Sequence, residues 1–341
     1  MGVNIRELIP RKDIDFSALQ QKVLVIDAFN LLYQMITTIR QRDGTPLTDN
    51  QGRTTSHLVG LFSRTTNFLE RGIKLVFVFD GKAPALKQEE RERRREVKEE
   101  ALAKYRIAKE KEDITDMKKY ASRTAVLTQE MIQESKDLLQ AFGIPIIQAP
   151  SEGEAQAAYM VKQGDGYAVV SQDYDSLLYG ASKLIHNLSV AGKRKKTKVS
   201  YEKIKPEIIH LSEVLNTLGI DQDQLIVLGM LIGTDYNRGG VKGIGPQHGL
   251  KIVKEHGTDF EKLFKDVQWT DHCNLPWQTI FNTFKKMPVT DDYKLTWKQS
   301  NLEKIKDILV EQHDFSFERI KNSLEKLHST KMQQKGLGEF M

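Results

Sequence analysis

At 341 residues, with 39% hydrophobic and 28% charged side chains, the chain can bury a substantial core and is too apolar to stay disordered. Its single cysteine, Cys273, excludes an internal disulfide and a cysteine-ligated zinc site, and no apolar run reaches the length of a membrane span. The net charge of +5 is small but uneven: residues 82–111 hold eleven basic and seven acidic side chains, and residues 193–198 hold five cations and no acid, which points to a polyanionic partner.

The opening MGVNIRELIPRKD is no signal peptide, and Arg6 stands where a myristoylation signal at Gly2 needs Ser or Thr. Short, β-rich apolar runs predict strands at 22–27 (KVLVID), 73–79 (IKLVFVF), 144–148 (IPIIQ) and 167–171 (YAVVS). Amphipathic helices are expected over 28–42, 54–71, 128–142 and 152–163, with Gly72, Gly143 and Gly164 where the last three stop. This alternation predicts an α/β domain: a mainly parallel sheet flanked by helices, with right-handed crossovers. Residues 82–125 break the rhythm, being too polar for a core and too helix-forming for a linker. They are expected to project as helices from the sheet edge. From about 203 onward the chain reads as helical, with DQLIVLGMLIG a buried helix, and STKMQQKGLGEFM reads as a tail.

Seven acids stand at the ends of these segments. Asp27 ends the first strand and Asp80 the second. Glu152 and Glu154 follow the third, Asp173 and Asp175 the fourth, and Asp235 closes the buried helix in a Gly-rich turn. Capping explains single cases, and Ser151-x-x-Glu154 fits a capping box. It does not explain four coincidences in a row, whereas ligands of open α/β sheets bind at the carboxyl ends of strands. Asp173 and Asp175 share a face if their segment stays extended; Glu152 and Glu154 converge only in an irregular turn entering the helix. Crowded carboxylates demand cations, and oxygen-only donors select Mg²⁺ or Mn²⁺ over zinc. Two such ions about 4 Å apart are the usual engine of phosphodiester hydrolysis, so metal-dependent phosphoryl chemistry is the predicted activity.

The segments LVIDAFNLLYQ, FVFDGKAPALKQEERERRR, APSEGEAQAAYM, VSQDYDSLLYG and GTDYNRGGVKGIGPQHGLKIV, in that order, resemble the flap endonucleases of the XPG-type structure-specific 5′ nuclease family over nearly the whole chain. The resemblance implies a PIN-like nuclease core with two Mg²⁺ ions, Mn²⁺ substituting. Their ligands would be Asp27, Asp80, Glu152, Glu154, Asp173, Asp175 and Asp235, with Asp173 also catalytic. It implies that Lys87 and Arg94 contact the scissile phosphate, and their spacing of seven would put them on one helical face. Tyr33 would stack on the terminal base pair, Arg40 would contact DNA, and residues 82–125 would form an arch for the single-stranded flap. GGVKGIGPQHGL is similar to the family's helix–hairpin–helix-like duplex clamp with its K⁺. There Gly243 and Gly245 make the turn and Pro246 opens a helix, while His248 replaces a usual basic residue and is assigned no contact. Lys193, Arg194, Lys195 and Lys196 would meet duplex phosphates. In QKGLGEFM, the positions of Gln334, Leu337, Phe340 and Met341 resemble a PCNA-interacting box, with Met341 where a second aromatic is common.

The implied organisation is a single nuclease domain over 1–325 and a flexible clamp-binding tail over 326–341. The domain comprises an N-terminal nuclease region to about 105, an arch over about 82–125, an internal region over about 126–255 and a helical part over about 256–325. The implied function is removal of 5′ flaps, with 5′–3′ exonuclease activity, in Okazaki-fragment maturation and repair. The substrates would be 5′-flap and nicked duplex DNA, and the protein a cytoplasmic monomer of archaeal type, or nuclear in a eukaryote. Rival readings are a related 5′–3′ exonuclease, a PIN-type ribonuclease, and a non-catalytic junction binder that recruits the sliding clamp.

Overall fold

The computed structural model describes residues 2–188, 193–195 and 201–338, with side chains described outside 193–195, 201–203 and 328–338. Its strands are β1 (Lys12–Asp13), β2 (Val23–Asp27), β3 (Lys74–Phe79), β4 (Ile146–Gln148), β5 (Ala168–Val170), β6 (Lys183–His186), β7 (Lys193–Lys195), β8 (Tyr201–Lys203) and β9 (Glu207–His210). The helices of the first half are α1 (Ala28–Thr38), α2 (Ser56–Glu70), α3 (Gln88–Glu110), α4 (Ile114–Ala121), α5 (Gln129–Ala141), α6 (Gly153–Gln163) and α7 (Asp175–Leu178). Those that follow are α8 (Leu211–Leu218), α9 (Gln222–Ile232), α10 (Pro246–His256), α11 (Phe260–Asp266), α12 (Trp277–Lys285), α13 (Leu302–Lys306) and α14 (Phe317–Gly338). Among the described residues, no helix is long and apolar enough to cross a membrane.

The central strands read as unbroken apolar runs because both their faces are covered. Val25, Val76, Val78 and Val169 point into one core, closed by α6 to α12. Leu24, Ile26, Leu75, Phe77 and Val170 point into the other, closed by α1, α2, α5, α13 and α14. The sheet order is β1-β9-β6-β5-β2-β3-β4, with β4, β3, β2, β5 and β6 parallel and β9 antiparallel to both its neighbours, β6 and the edge strand β1. From β2 the chain steps outward to β3 and β4, then returns to the far side of β2 with β5 and β6. That reversal opens a crevice between the carboxyl ends of β2 and β5, where such folds take their ligands.

Apart from the two-residue β1, for which no strand was expected, strands and helices before residue 171 lie within a few positions of expectation, α1 stopping at Thr38 rather than 42. Residues 82–125 form α3 and α4, which pack on each other and bury only a few side chains, such as Ala101, Ala108 and Met117. Beyond residue 171 the structure adds features that were not expected, some of them within the stretch from about 203 read as helical. KLIH and EIIH pair as antiparallel β6 and β9, four-residue strands too short to show a period. Residues 286–301 carry neither helix nor strand and run as a strap. The strap is fixed by the amide pairing of Gln156 with Thr290 (2.8 Å both ways), by Trp297 Nε1–H to Leu75 O (2.8 Å) and by Lys298 N–H to Gly143 O (2.9 Å). α14 continues through Gly338 where loss of periodicity predicts a tail. Gln334 and Leu337 fall in its last turns, where side chains are not described, while Lys196, Phe340 and Met341 lie outside the described residues. Lys193, Arg194 and Lys195 form β7, paired with β8.

Gly143 ends α5 at φ +74°, and a Cβ there would fall 2.3 Å from Lys298 O. Gly143→Ala adds left-handed strain to a backbone collision and is expected to cost about 2 kcal/mol or more. The measurement is the urea midpoint, which should fall with the m-value unchanged.

Candidate active site

Asp27 ends β2 and caps α1, its Oδ1 accepting the Asn30 N–H at 3.0 Å. Asp80 follows β3, and its Oδ1 accepts the N–H of Gly153, the first residue of α6, at 2.7 Å. This contact replaces the expected capping box. Ser151 Oγ instead donates to Lys82 O (3.0 Å), Glu152 holds the N-cap position without a side-chain cap, and Glu154 accepts from Ser171 Oγ at 3.3 Å. An acid on the neighbouring strand thus reaches the helix's positive end first. Neither glutamate is spent on capping.

The second pair, Asp173 and Asp175, also converges by a different route from the one expected. β5 stops at Val170, Asp173 sits in a bend, and Asp175 opens α7. An extended face is therefore not what brings the two together; the turn at Tyr174 (φ −92°, ψ −2°) does. Asp173 Oδ1 accepts the Gly2 N–H (3.2 Å) and its Oδ2 accepts Asn30 Nδ2 (2.9 Å), while Asp175 Oδ1 accepts the Val3 N–H (2.6 Å). The N-terminal segment is part of the site, and no sequence pattern announces it. Asn30 was legible only as a polar residue in an apolar helix.

Lys87 ends a short 3₁₀ turn, donates to Glu152 and lies 3.3 Å from Asp235 Oδ2. Arg94, within α3, reaches the other oxygen of Asp235 at 2.8 Å and is steadied by Glu90 at 2.7 Å. The two cations separated by seven residues thus meet on one carboxylate. Lys87 also lies 5.5 Å from the Tyr236 ring centre, whose hydroxyl pairs with that of Tyr179 (2.7 Å). A cleft of about 490 Å³ opens beside Asp173 and Asp235 and is lined by Arg6, Arg93 and Arg238. Tyr33 on α1 is 38% exposed, with Lys98 Nζ 5.3 Å from its ring centre. Arg40 lies beyond α1, half-buried, and donates to Gly44 O at 2.8 Å. On the α9–α10 connection, which also carries Asp235, Gly243 takes the left-handed turn (φ +85°). Gly245 is extended and caps Pro246 at the first helical position.

Burial sets the charge state of the acids. It raises Asp27 to about 8, helped by Asp80 and opposed by the Asn30 N–H. It raises Asp175 to about 7, against the Val3 N–H, and Asp80 to about 6, with Glu152 adding repulsion. Glu154 is pushed well up by burial and by Asp175, Asp27 and Asp173. Lys87 shows the opposite balance: burial pulls its pKa down, but Glu152, Tyr236 and Asp235 outweigh burial and raise it. Among the described residues, no three acids or histidines already enclose one point as a finished metal cage. The donor set nevertheless fits hard divalent cations. It is all oxygen, it is buried or half-buried, and several of its acids are held above the usual carboxylate range by burial and by one another.

Two family models match the chain: the XPG N-terminal domain over residues 4–101 and the XPG I-region over 143–235. The chain is 51% identical to Flap endonuclease 1 of Hyperthermus butylicus over 350 aligned positions, covering 100% of this chain and 99% of the relative. It is 52% identical to Flap endonuclease 1 of Pyrococcus abyssi over 328 positions, covering 96% and 94%. Among solved structures, flap endonuclease-1 from Methanococcus jannaschii superposes with a TM-score of 0.76 at 42% identity, covering 98% of this chain and 100% of that one. The catalytic core of Rad2 in complex with DNA substrate shares the fold at a TM-score of 0.66 and 24% identity, covering 95% and 97%.

Because Asp80, Asp175 and Asp27 titrate near 6, 7 and 8 rather than 3.8, the native state holds more protons than the unfolded chain across that range. The stability these protonated acids contribute is complete below their unfolded value and is lost as pH rises through 6 to 8. In chelator, the melting temperature is expected to fall between about pH 5 and pH 8.5, and Mg²⁺ or Mn²⁺ should restore most of it at the alkaline end. A flat profile in chelator would contradict this electrostatic picture.

Proposed function

The chain belongs to the flap endonuclease family of XPG-type nucleases, and from that premise we propose that it removes 5′ flaps from branched and nicked duplex DNA, with 5′–3′ exonuclease activity, using two Mg²⁺ ions. The observation that carries the reading is the gathering of acids from β2, β3, α6, α7 and the loops around them at the switch-point crevice, with Lys87 and Arg94 meeting there on Asp235. Asp27, Asp80, Glu152, Glu154, Asp173, Asp175 and Asp235 would hold the ions. Bound Mg²⁺, or Mn²⁺ in its place, would supply positive charge against the phosphate oxygens and an acidified water. Lys87 and Arg94 would leave Asp235 for the scissile phosphate, where charge-assisted hydrogen bonds stabilise the developing negative charge.

The remaining surface suits a substrate recognised by shape and phosphates rather than by sequence. Tyr33 would stack on the terminal base pair, with Arg40 nearby, and α3 and α4 would frame the single-stranded flap. The α9–α10 turn at Gly243 and Gly245 would hold duplex phosphate with K⁺, and the basic run Lys193 to Lys196 would add screening-sensitive contacts. The body over 1–325 would act as one nuclease unit, a monomer in the cytoplasm. The tail from 326 would dock PCNA through Gln334, Leu337, Phe340 and Met341 during Okazaki-fragment maturation and repair.

Asp173→Ala is expected to lower flap cleavage in Mg²⁺ on the order of 10³-fold or more while flap-DNA binding persists. Near wild-type turnover would sink the metal assignment. Wild-type protein offered labelled 5′-flap DNA, blunt duplex and single-stranded RNA should prefer the flap; preference for either other substrate favours the exonuclease or ribonuclease readings. Phe340→Ala should keep basal cleavage and lose stimulation by PCNA, and unchanged clamp binding would refute the tail's role.

A further inference from the structure

The switch-point crevice is bridged by one neutral side chain. Asn30 lies in the first turn of α1, three residues after Asp27, and it faces both strands of the reversal. Its backbone N–H donates to Asp27 Oδ1 at 3.0 Å, at the end of β2. Its side chain crosses to the loop after β5, where Nδ2 donates to Asp173 Oδ2 at 2.9 Å and Oδ1 accepts the Gln172 N–H at 3.1 Å. Those partners also fix which way the amide points, because a backbone N–H only donates and a carboxylate accepts. We propose that Asn30 is a positioning residue for the nuclease reaction, a clamp that sets the angle of the Asp173 carboxylate relative to Asp27 and so prepares the site for divalent cations. The inference rests on the flap-nuclease reading for its reaction but not for its geometry.

The chemistry favours an amide at this position over its alternatives. Residues 171–174 belong to neither a strand nor a helix, so no ladder holds Asp173 in place. The Asp173 carboxylate is met by Asn30 on one oxygen and by the Gly2 N–H on the other, while Ser171 Oγ accepts the Asp173 N–H at 3.2 Å and His186 hydrogen-bonds the Asp173 backbone. A lysine at position 30 would orient Asp173 equally well but would neutralise a site that needs its negative charge for metal. An aspartate would accept from Gln172 yet set a further like charge against Asp173. A leucine would fill the space and provide neither bond. Unlike these three, a carboxamide both donates to the acid and accepts from the loop backbone without changing the local charge. Groups that orient metal-binding side chains in this way usually govern metal affinity by about tenfold to a hundredfold.

The test uses the full chain with Asn30→Leu and Asn30→Ala, the second because alanine suits a helix and avoids crowding should the leucine variant fail to fold. Mn²⁺ alone is titrated calorimetrically into the DNA-free proteins. Flap cleavage is then measured over a range of Mg²⁺, and DNA affinity is measured in chelator. The expected result is Mn²⁺ binding weakened about tenfold or more. It should come with a lowered kcat partly recovered at high Mg²⁺, an unchanged KM, and unchanged DNA affinity. Wild-type Mn²⁺ affinity and kcat in a folded variant would overturn the proposal. So would a loss spread equally over KM and DNA affinity, which a general structural defect would produce. A wild-type protein that binds Mn²⁺ but leaves flap DNA uncut would instead overturn the functional reading, and the Mn²⁺ titration would still decide the role of Asn30.

Discussion

Seven carboxylates brought to one crevice repel one another, and the rest of the molecule is organised around making that closeness tolerable. Burial makes the conflict worse, because it removes the water that would screen like charges, and Asp27 answers by holding its proton up to about 8. The chain supplies partial relief of three kinds. Helix starts and backbone N–H groups reach Asp27, Asp80, Asp173 and Asp175; an amide reaches Asp173; and the ammonium and guanidinium of Lys87 and Arg94 reach Glu152 and Asp235. None of these cancels the whole charge. What is left over is an excess of negative charge on oxygen donors, the condition that suits hard divalent cations.

The fold makes such a gathering geometrically cheap. Parallel strands end on the same side of a sheet, so acids placed after β2, β3, β4 and β5 arrive together without long loops. The reversal between β2 and β5 leaves no crossover helix over the crevice, so substrate can reach the acids. Asp235 comes from a different element, the end of α9, and brings with it the two cations of the 3₁₀ turn and α3. The acid cluster and these two cations are therefore coupled through one side chain.

The sequence made the acids and the core strands legible because both follow strong periodic rules: unbroken apolar runs, each ended by a carboxylate. Lys87 and Arg94 were legible through the family resemblance, with their spacing of seven in support, and Gly143 through the stop of an amphipathic pattern. What escaped depends on contacts between distant segments. The cap of α6 comes from Asp80, seventy-odd residues earlier, so a local capping box at Ser151 was the natural and mistaken expectation. The bend at Asp173 was masked by the extended look of VVSQDYD. β6 and β9 are too short to declare a period, and the N–H groups of Gly2 and Val3 carry no side-chain signature at all.

The strap over residues 286–301 has a consequence for how the molecule comes apart. It has no ladder or helical bonds of its own, yet it grips α6 through Gln156, β3 through Leu75 and the end of α5 through Gly143. A segment held only by its neighbours gives way when they do, and they lose a brace when it does. The late helices and the early strands thus belong to a single cooperative unit, and slow amide exchange would mark them together. α3 and α4 keep most of their side chains in solvent, and α3 meets that unit at its first turns, through Arg94 on Asp235. The outward parts of α3 and α4 are therefore expected to exchange their amides before the body that holds the acids does.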